Sequence, residues 1–360
     1  MTAPGDAVVI GGGLAGSLAA LALVERGWRV RQLLASTPQA DATALSYGGV
    51  AWWSGPPGPL GRSMRGAPGQ WRRWQRRHGD LGWRPCRLRL HGAGGSSWER
   101  IRPRRFSRVD ARVLQRALPA VLRAAGVERI EHEPLGPLQL RRGSRPGHDP
   151  GLSLELPGAG TLSTDRVVLA AGAGCRALWP SLTPRLRCSW AGVLTLEQRP
   201  AGLPGDRIWL PRQWQRPALE RRAPSLTTGE WIVDPGLAPW GEGALLGQIS
   251  LVNPEPTHGA APDPARMEQR LRQQLAAWKP ELASLEAPYR QTAVAFSSDG
   301  LPQVGPLADQ PGLWVFTGFS GAFSQVPVLA PLLAQCLTDS LEGSQDAAVA
   351  PLAALGVLPR

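Results

Sequence analysis

The glycines near the amino terminus constrain the fold of this chain more than any other feature. Gly11, Gly13 and Gly16 follow the strand-like residues 8–10 in the spacing G-x-G-x-x-G. The first glycine of this motif makes a tight turn, the second lets the backbone approach a pyrophosphate, and the third lets a helix pack on the strand. A helix predicted from about residue 14 to residue 25 would point its first amides at the phosphates. The motif therefore predicts a dinucleotide-binding strand–turn–helix unit.

The second predicted strand lacks the acidic residue that usually completes such a unit. Residues 30–34 read as a strand that ends in Leu34, Ala35 and Ser36, where an Asp or Glu normally binds the ribose hydroxyls. Leu34 accepts no hydrogen bond, and Ser36 or Thr37 would replace the acid only weakly. Two interpretations stay open: the ribose contact is weakened or moved, or the site is degenerate and only its fold is kept.

The composition narrows the class of protein. A chain of 360 residues is long enough for two domains. Its cysteines form no C-x-x-C pair and its histidines no H-E-x-x-H group, so we expect neither a metal site nor a disulfide framework. The net charge of +12 comes almost wholly from arginine. Such a charge suits a nucleic-acid partner, although a GC-rich genome also favours arginine over lysine. No basic leader or membrane span is apparent, which predicts a cytoplasmic protein.

Three later stretches repeat the pattern of strand, glycine-bearing turn and helix. They are STDRVVLAAGAGCRALWP at 163–180, SSDGLPQVGPL at 297–307 and GLWVFTGFSGAFSQVPVLAPLLAQCL at 312–337. Together with the first glycines, the loop LSYGGVAW at 45–52 and a predicted helix within 109–127, they resemble the flavin-dependent family of D-amino-acid oxidase, glycine oxidase and sarcosine oxidase. The resemblance covers the chain from end to end, although residues 190–290 match poorly.

The resemblance implies an α/β fold with two domains. A Rossmann-like FAD-binding domain would comprise residues 1–55, 100–188 and 290–345. A substrate domain built on a mixed or antiparallel β-sheet, inserted into it, would comprise residues 56–99 and 189–289. The proline-containing end, residues 346–360, suggests a partly disordered tail. Within the substrate domain, Asp263 is a predicted N-cap of a helix at about 264–278.

The resemblance also implies where FAD would lie. Gly11, Gly13 and Gly16 would hold the pyrophosphate, Val127 would flank the adenine by its backbone, and Gly172 would lie beside the cofactor on a second strand–turn. The positions implied for the flavin are Ser46, Gly48 and Gly49 at the ribityl chain and ring edge, and Gly318, Ser320, Gly321 and Ala322 at the pyrimidine end. Leu14, Ala15, Ser36 and Phe323 complete the predicted cofactor-binding set.

The sequence identifies no catalytic side chain. Candidates for the flavin face are Gly48, Gly321, Tyr47 and Tyr289. The reaction expected of this family passes a hydride from the carbon beside a neutral amine to the flavin, which requires alignment more than a protein base. We therefore expect oxidation of a C–N bond in a small amine or amino acid, with oxygen or another, unidentified electron acceptor.

The substrate side departs from the family pattern. Amino-acid-handling members carry an arginine a few residues before a D-G-x-P turn, where it binds the substrate carboxylate, and here that position is Val294. The substrate would then lack that carboxylate or be larger, or another arginine would replace the missing one. The candidates in the poorly matched section are Arg207, Arg212, Arg216 and Arg221.

Arginines and tryptophans interleave in residues 70–92, which fits either a nucleic-acid surface or an ordinary amphipathic helix. The three-residue spacing of Trp71 and Trp74 favours a helix with buried tryptophans and solvated arginines. Three alternatives to amine oxidation stay open: a flavin oxidase acting on a tRNA modification, a non-catalytic binding or scaffold protein with this fold, and a hydroxylase that uses NAD(P)H.

Overall fold

The structure is a computed structural model that describes residues 4–36, 41–92, 97–100, 106–143, 151–200, 202–203, 205–257 and 259–359. Thr37, one of the two weak ribose candidates, lies outside these ranges. The helices are α1 (Leu14–Val24), α2 (Pro59–Ser63), α3 (Ala67–His78), α4 (Ala111–Ala124), α5 (Cys175–Leu178), α6 (Arg216–Arg222), α7 (Pro264–Trp278), α8 (Pro280–Ala283), α9 (Ala322–Glu342) and α10 (Gln345–Leu355).

The strands fall into two long groups along the chain. The first group is β1 (Asp6–Ile10), β2 (Arg29–Ala35), β3 (Trp83–Pro85), β4 (Arg87–His91), β5 (Ser97–Arg100), β6 (Ser107–Val109), β7 (Glu128–His132), β8 (Leu140–Arg142), β9 (Leu152–Leu156), β10 (Gly160–Thr164) and β11 (Arg166–Leu169). The second group is β12 (Leu186–Leu196), β13 (Arg207–Pro211), β14 (Glu230–Val233), β15 (Leu237–Trp240), β16 (Gly243–Val252), β17 (Tyr289–Ser297), β18 (Gln303–Pro306) and β19 (Leu313–Thr317).

The amino-terminal motif belongs to a sheet with the order β18-β19-β11-β1-β2-β7, called here the parallel sheet. Its strands run parallel except at the edge, where β18 pairs antiparallel with β19. Strand β1 lies in the middle and is buried along its whole length, as expected of a strand covered on both faces. Helices α1, α3, α4 and α9 cover one face, and the small sheet β10-β9-β8 covers the other.

The second large sheet, called here the mixed sheet, has the order β17-β12-β16-β15-β13-β4-β5, with β14 also paired to β16. Its pairs are antiparallel except β13 with β4. Helix α7 covers one of its faces, and the Asp263 side chain caps that helix by accepting from the N–H of Ala265 at 3.1 Å. The predicted combination of a Rossmann-like unit with a mixed or antiparallel sheet is confirmed.

Two expected domain limits differ from the observed packing. Strand β17 pairs with β12 in the mixed sheet, although we expected the parallel-sheet unit to resume at residue 290. Helix α3, expected in the substrate domain, instead packs on α9 in the core of the parallel sheet, with both Trp71 and Trp74 fully buried. Side-chain packing across the chain, rather than position along it, assigns these segments.

The expectation of a partly disordered tail is wrong. Residues 345–355 form α10, which packs on α9 and buries Ala348, Val349 and Leu352. The N–H of Val304 in β18 donates to the carbonyl of Val357 at 2.8 Å, which ties the following residues to the sheet edge. The apolar positions recur at helical spacing and are buried, and this outweighs the effect of Pro351 inside the helix.

Candidate active site

The glycine turn after β1 leaves no room for side chains at two of its positions. The N–H of Gly11 donates to the carbonyl of Leu33 at 3.0 Å, and its φ of 124° lies in a region that favours glycine. A Cβ on Gly11 would lie 2.4 Å from the Ala170 carbonyl oxygen, and one on Gly16 would lie 2.1 Å from that of Gly11. The turn therefore brings β1, α1 and the end of β11 into backbone contact.

The amino end of α1 keeps amides available for an anion. Gly13 is its N-cap and provides no side-chain cap, while the N–H of Leu14 donates to Thr43 Oγ1 at 3.0 Å. Within the described residues, the N–H groups of Gly13 and Ala15 have no acceptor. Open amides at a helix amino terminus, together with the helix dipole, favour a phosphate group.

Leu34 fills space beside this turn. Its Cδ2 atom would lie 2.6 Å from a Cβ at Gly12, so the leucine packs directly against the glycine backbone. Ser36 is exposed, and its hydroxyl lies 3.4 Å from Glu133 Oε1 at the end of β7. The direct neighbour of Leu34 across the β2–β7 pair is Glu131.

A cavity of about 270 Å³ opens beside the glycine turn and extends toward α4 and β7. Sequence analysis missed its polar members Asp41, Thr43, Gln115 and Arg129, since the loop after β2 and the face of α4 carry no motif. Asp41 accepts from the N–H of Ala44 at 2.7 Å and from Gln115 Nε2 at 2.8 Å, which fixes this loop over the turn. Apart from these, the lining residues are Gly12, Gly13, Leu14, Ser17, Leu118, Pro119 and Leu122.

The prediction that Val127 flanks an adenine is wrong. Val127 lies just before the amino end of β7, is buried, and donates its N–H to the Leu122 carbonyl at 2.9 Å. The glycine turn lies at the carboxyl end of the neighbouring strands, level with Ala35 and His132. Because the strands are parallel, a whole strand length separates Val127 from the turn.

The loop at 46–50 is fixed to β6 by its backbone. The N–H of Val109 donates to the Gly48 carbonyl at 2.8 Å, and Gly49 forms an antiparallel bridge with Arg108. Gly48 has a φ of 66°, and a Cβ there would lie 1.8 Å from the Val109 carbonyl oxygen. The Ser46 hydroxyl accepts from the Gly48 N–H at 3.1 Å, so this side chain stabilises the turn itself.

Tyr47, next in that loop, joins the loop to the mixed sheet. Its hydroxyl is buried and has no partner within the described residues, and it packs with Val193 and Trp240. Burial raises the pKa of Tyr47 well above its usual value, and the nearby charge of Asp234 raises it further. Burial also raises the pKa of Asp234, whose carboxylate accepts from the N–H groups of Gln215 at 3.0 Å and Arg216 at 3.1 Å.

Tyr289 is not on the flavin face, contrary to our prediction. Its ring crosses Gly192 and packs with Leu194 and with the buried face of α7. Tyr47 instead packs with Val193, the neighbour of Leu194 in β12. Because successive side chains of a strand point to opposite faces, Tyr289 and Tyr47 lie on opposite sides of the mixed sheet.

The turn after β19 closes the site from the side of the parallel sheet. Gly318 has a φ of 78°, and a Cβ there would lie 2.4 Å from Ser297 Oγ. Within the described residues, the buried Ser297 hydroxyl and the Gln303 side-chain amide have no hydrogen-bond partner. Such buried polar atoms require a polar partner such as water or a ligand group.

Helix α9 begins at Ala322, immediately after Ser320 and Gly321, a few residues earlier than the predicted start near Gln325. The Gly321 N–H donates to Gln325 Oε1 at 3.3 Å. Phe323 is buried in the core, where it stacks on Trp71 with centroids 6.2 Å apart. Only the backbone of Phe323 is therefore available to a ligand at this helix terminus.

Gly172 lies in the short turn after β11 and has a φ of 56°. The residues just before it, Ala170 and Ala171, contact the Gly11 turn. The structure thus brings together the glycines of two separate motifs at the carboxyl edge of the parallel sheet.

The arginine- and tryptophan-containing helix is amphipathic, as the spacing predicted. Trp71 and Trp74 are fully buried, and Trp71 Nε1 donates to the Phe323 carbonyl at 2.8 Å. Arg72, Arg73 and Arg76 are exposed. These tryptophans are inaccessible to nucleic-acid bases. In the part of the chain that the structure describes, no helix is long and apolar enough to cross a lipid bilayer, and no cluster of metal-ligating side chains occurs.

Comparison with protein families gives one match that spans most of the chain. Residues 6–108 and 104–336 match the family model described as DAO, FAD dependent oxidoreductase. Among curated protein sequences, none is significantly similar to this chain.

Solved structures share the whole architecture at low sequence identity. Glycine oxidase from Geobacillus kaustophilus has 19% identity and a TM-score of 0.71, with 96% of this chain and 97% of that chain covered. L-proline dehydrogenase from P. horikoshii has 14% identity and a TM-score of 0.68, with 96% of each chain covered. L-amino acid deaminase from Proteus vulgaris, with its specific insertion sequence deleted, has 16% identity and a TM-score of 0.64, with 95% of this chain and 90% of that chain covered.

Proposed function

This chain belongs to the DAO family of FAD-dependent oxidoreductases, and from that premise we propose that it oxidises a C–N bond of a small amine or amino acid by hydride transfer to FAD. The names of the similar structures support this class of substrate, since they include an oxidase, a dehydrogenase and a deaminase of amino acids.

The described residues fit FAD at most of its length. The open amides of Gly13 and Ala15 suit the pyrophosphate, and the backbone at Gly48 and Gly318 has conformations that let the chain lie close to a flat ring. The unpaired polar atoms of Ser297 and Gln303 lie near the Gly318 turn. Only Leu34 opposes the fit, because it offers no acceptor to a ribose.

The observation that carries the proposal is the join between the two sheets. Tyr47, in the loop that bridges to β6, packs against Val193 and Trp240 of the mixed sheet, so the loop and the sheet enclose a dry apolar space. Bound FAD supplies the two-electron acceptor for the substrate. The chain's own task is to align the substrate carbon, keep water away and hold the cofactor by backbone amides.

The first test is the visible absorption spectrum of the purified protein, before and after acid release of its chromophore. We expect oxidised flavin bands that appear in the supernatant as free FAD. An anaerobic panel of amino acids and of amines without a carboxylate then follows, scored by bleaching of the flavin. Flavin reduction by NADPH, or bleaching by no amine, would contradict the proposal.

A further inference from the structure

The acid missing from β2 has a neighbour on the next strand. Leu34 and Glu131 are direct partners in the parallel β2–β7 pair, and neighbouring strands lie about 4.8 Å apart. Two observations give the direction of Glu131. Ile130, one residue earlier, packs toward the small sheet, and Arg129, two residues earlier, lines the cavity beside Gly12 and Gly13. Alternation along β7 therefore places Glu131 on the same face as the glycine turn.

Glu131 is free to act there. It is exposed and makes no hydrogen bond or ion pair to the described residues. Its side chain has one more methylene than aspartate, and a carboxylate is the group that binds both hydroxyls of a dinucleotide ribose. We propose that Glu131 of β7 makes the ribose contact that Leu34 of β2 cannot make, so that the adenosine half of FAD is recognised one strand away from its usual acid.

The test measures FAD affinity and needs no substrate. The apoprotein is titrated with FAD and, separately, with riboflavin, and flavin fluorescence gives Kd. Glu131→Gln is expected to raise Kd for FAD about 10- to 100-fold, which corresponds to about 1.4–2.7 kcal/mol, and to leave riboflavin binding unchanged. Glu128→Gln, at the exposed amino end of the same strand, is the matched control and is expected to bind FAD as the wild type does.

A rescue variant separates the contact from a change in folding. Leu34→Glu, introduced into Glu131→Gln, is expected to restore FAD affinity, since it returns a carboxylate to the usual position. Unchanged FAD affinity in Glu131→Gln, or an equal loss for FAD and riboflavin, would overturn the assignment. Neither outcome would bear on which substrate is oxidised.

A separate observation concerns the substrate side, and it rests on the proposed function. Val294, the position without an arginine, is the direct partner of Ser189 across β12 and β17. Arg216 of α6 donates from Nη2 to Ser189 Oγ at 3.4 Å, and only 13% of its side chain is exposed. The other arginines considered from sequence do not approach this place: Arg207 pairs with Asp206, while Arg212 and Arg221 are exposed.

Helix α6 is fixed on the face of the mixed sheet that Tyr47 also approaches. Asp234, beside Tyr47, accepts from the first amides of the helix, and Leu219 packs with Phe296 of β17. Arg216 Nε donates to Glu220 at 2.8 Å, whereas its Nη1 has no partner within the described residues. The geometry points to Arg216 as the group that binds a substrate carboxylate in place of residue 294, with Glu220 as its internal counter-ion.

Opposite effects of two substitutions distinguish binding from a structural ion pair. Arg216→Gln and Glu220→Gln both remove the pair, so a purely structural role predicts similar losses. A binding role predicts that Arg216→Gln weakens the affinity of the holoenzyme for benzoate at least 30-fold, and that Glu220→Gln strengthens it several-fold. Affinity is read from the flavin spectrum, with benzamide as the neutral probe and Arg221→Gln as the control on the same helix.

The outcomes are separable from those of the proposed function. Benzoate binding that depends on Arg216 supports the assignment even if no amine bleaches the flavin. Equal binding of benzoate by the wild type and Arg216→Gln, or equal losses in both variants, would overturn it while leaving amine oxidation intact.

Discussion

The backbone of Gly16 in α1 lies against the backbone of Gly11, so closely that a methyl group on Gly16 would be 2.1 Å from the Gly11 carbonyl oxygen. Gly13 differs, since a Cβ there would meet only Thr43 Oγ1, at 3.4 Å, and its φ of −75° suits any residue. The glycines of one motif thus have different physical reasons to be glycine.

This difference predicts separate effects for two substitutions. Gly16→Ala should destabilise the protein by about 1–3 kcal/mol through overpacking. Gly13→Val should leave the stability of the apoprotein nearly unchanged and abolish FAD binding, because its side chain would crowd the phosphates. Urea unfolding of the apoproteins and FAD titration check both. Normal FAD content in Gly13→Val would contradict the placement of the pyrophosphate.

A second prediction concerns the α3 surface. Trp71→Ala should destabilise the protein by about 3–5 kcal/mol, because it removes a fully buried ring and its hydrogen bond to the Phe323 carbonyl. Arg73→Ala, on the exposed side of the same helix, should change stability by no more than about 0.5 kcal/mol. Denaturant unfolding measures both changes, and similar effects for the two variants would be inconsistent with the packing described.

The carboxyl-terminal helix yields a third prediction. Leu352→Ala should cost about 2–5 kcal/mol, since Leu352 is fully buried in the core shared with α9. The exposed Leu355 side of α10 offers a milder comparison in Ala354→Ser, which should be nearly neutral. Thermal unfolding of both variants is the measurement. A Leu352→Ala protein with wild-type stability would restore the idea of a dispensable tail.

The cysteines give a prediction about pH. Burial raises the pKa of Cys175 to about 11 and that of Cys188 to about 12, and the thiols of Cys86 and Cys336 are likewise buried with pKa values of about 11. The thiolate is the reactive form, so a thiol reagent at pH 8 should label none of them in the native protein and all of them in denaturant.

The same shifts fix the direction of a stability change. The unfolded thiols ionise near pH 9, whereas the folded ones stay neutral to a higher pH. The unfolded state therefore loses protons first, and stability should fall as pH rises from about 9 through 11. Substituting Cys175 with serine should reduce this dependence. A stability that is constant over that range would contradict it.

Local motifs could be predicted from the sequence because their geometry is local. The glycine turn, α1, the Asp263 cap and the burial of Trp71 and Trp74 all follow from spacing within one turn or one strand. The position of Val127 could not be predicted in the same way, because it depends on where β7 begins relative to β2. The face occupied by Tyr289 depends on which side of the mixed sheet α7 covers, and no local pattern encodes that.

The site residues that sequence analysis missed are of the same kind. Thr43 and Asp41 lie in a loop that has no motif, and they meet the glycine turn only because the loop folds back over it. Glu131 and Arg216 approach the site from strands and helices distant in sequence. Register across β2 and β7, and across β12 and β17, is what brings these residues into consideration.

The order of strands in the parallel sheet has a consequence for how this protein is made. The glycine turn leaves the ribosome early, yet α1 packs on α9, and β11 pairs with β19, whose residues 313–317 are synthesised near the end. Such distant pairings slow folding, and partly folded chains that expose apolar surface aggregate. The apolar α1 therefore waits for most of translation without its cover. A message cut short should yield an insoluble fragment rather than a smaller flavoprotein.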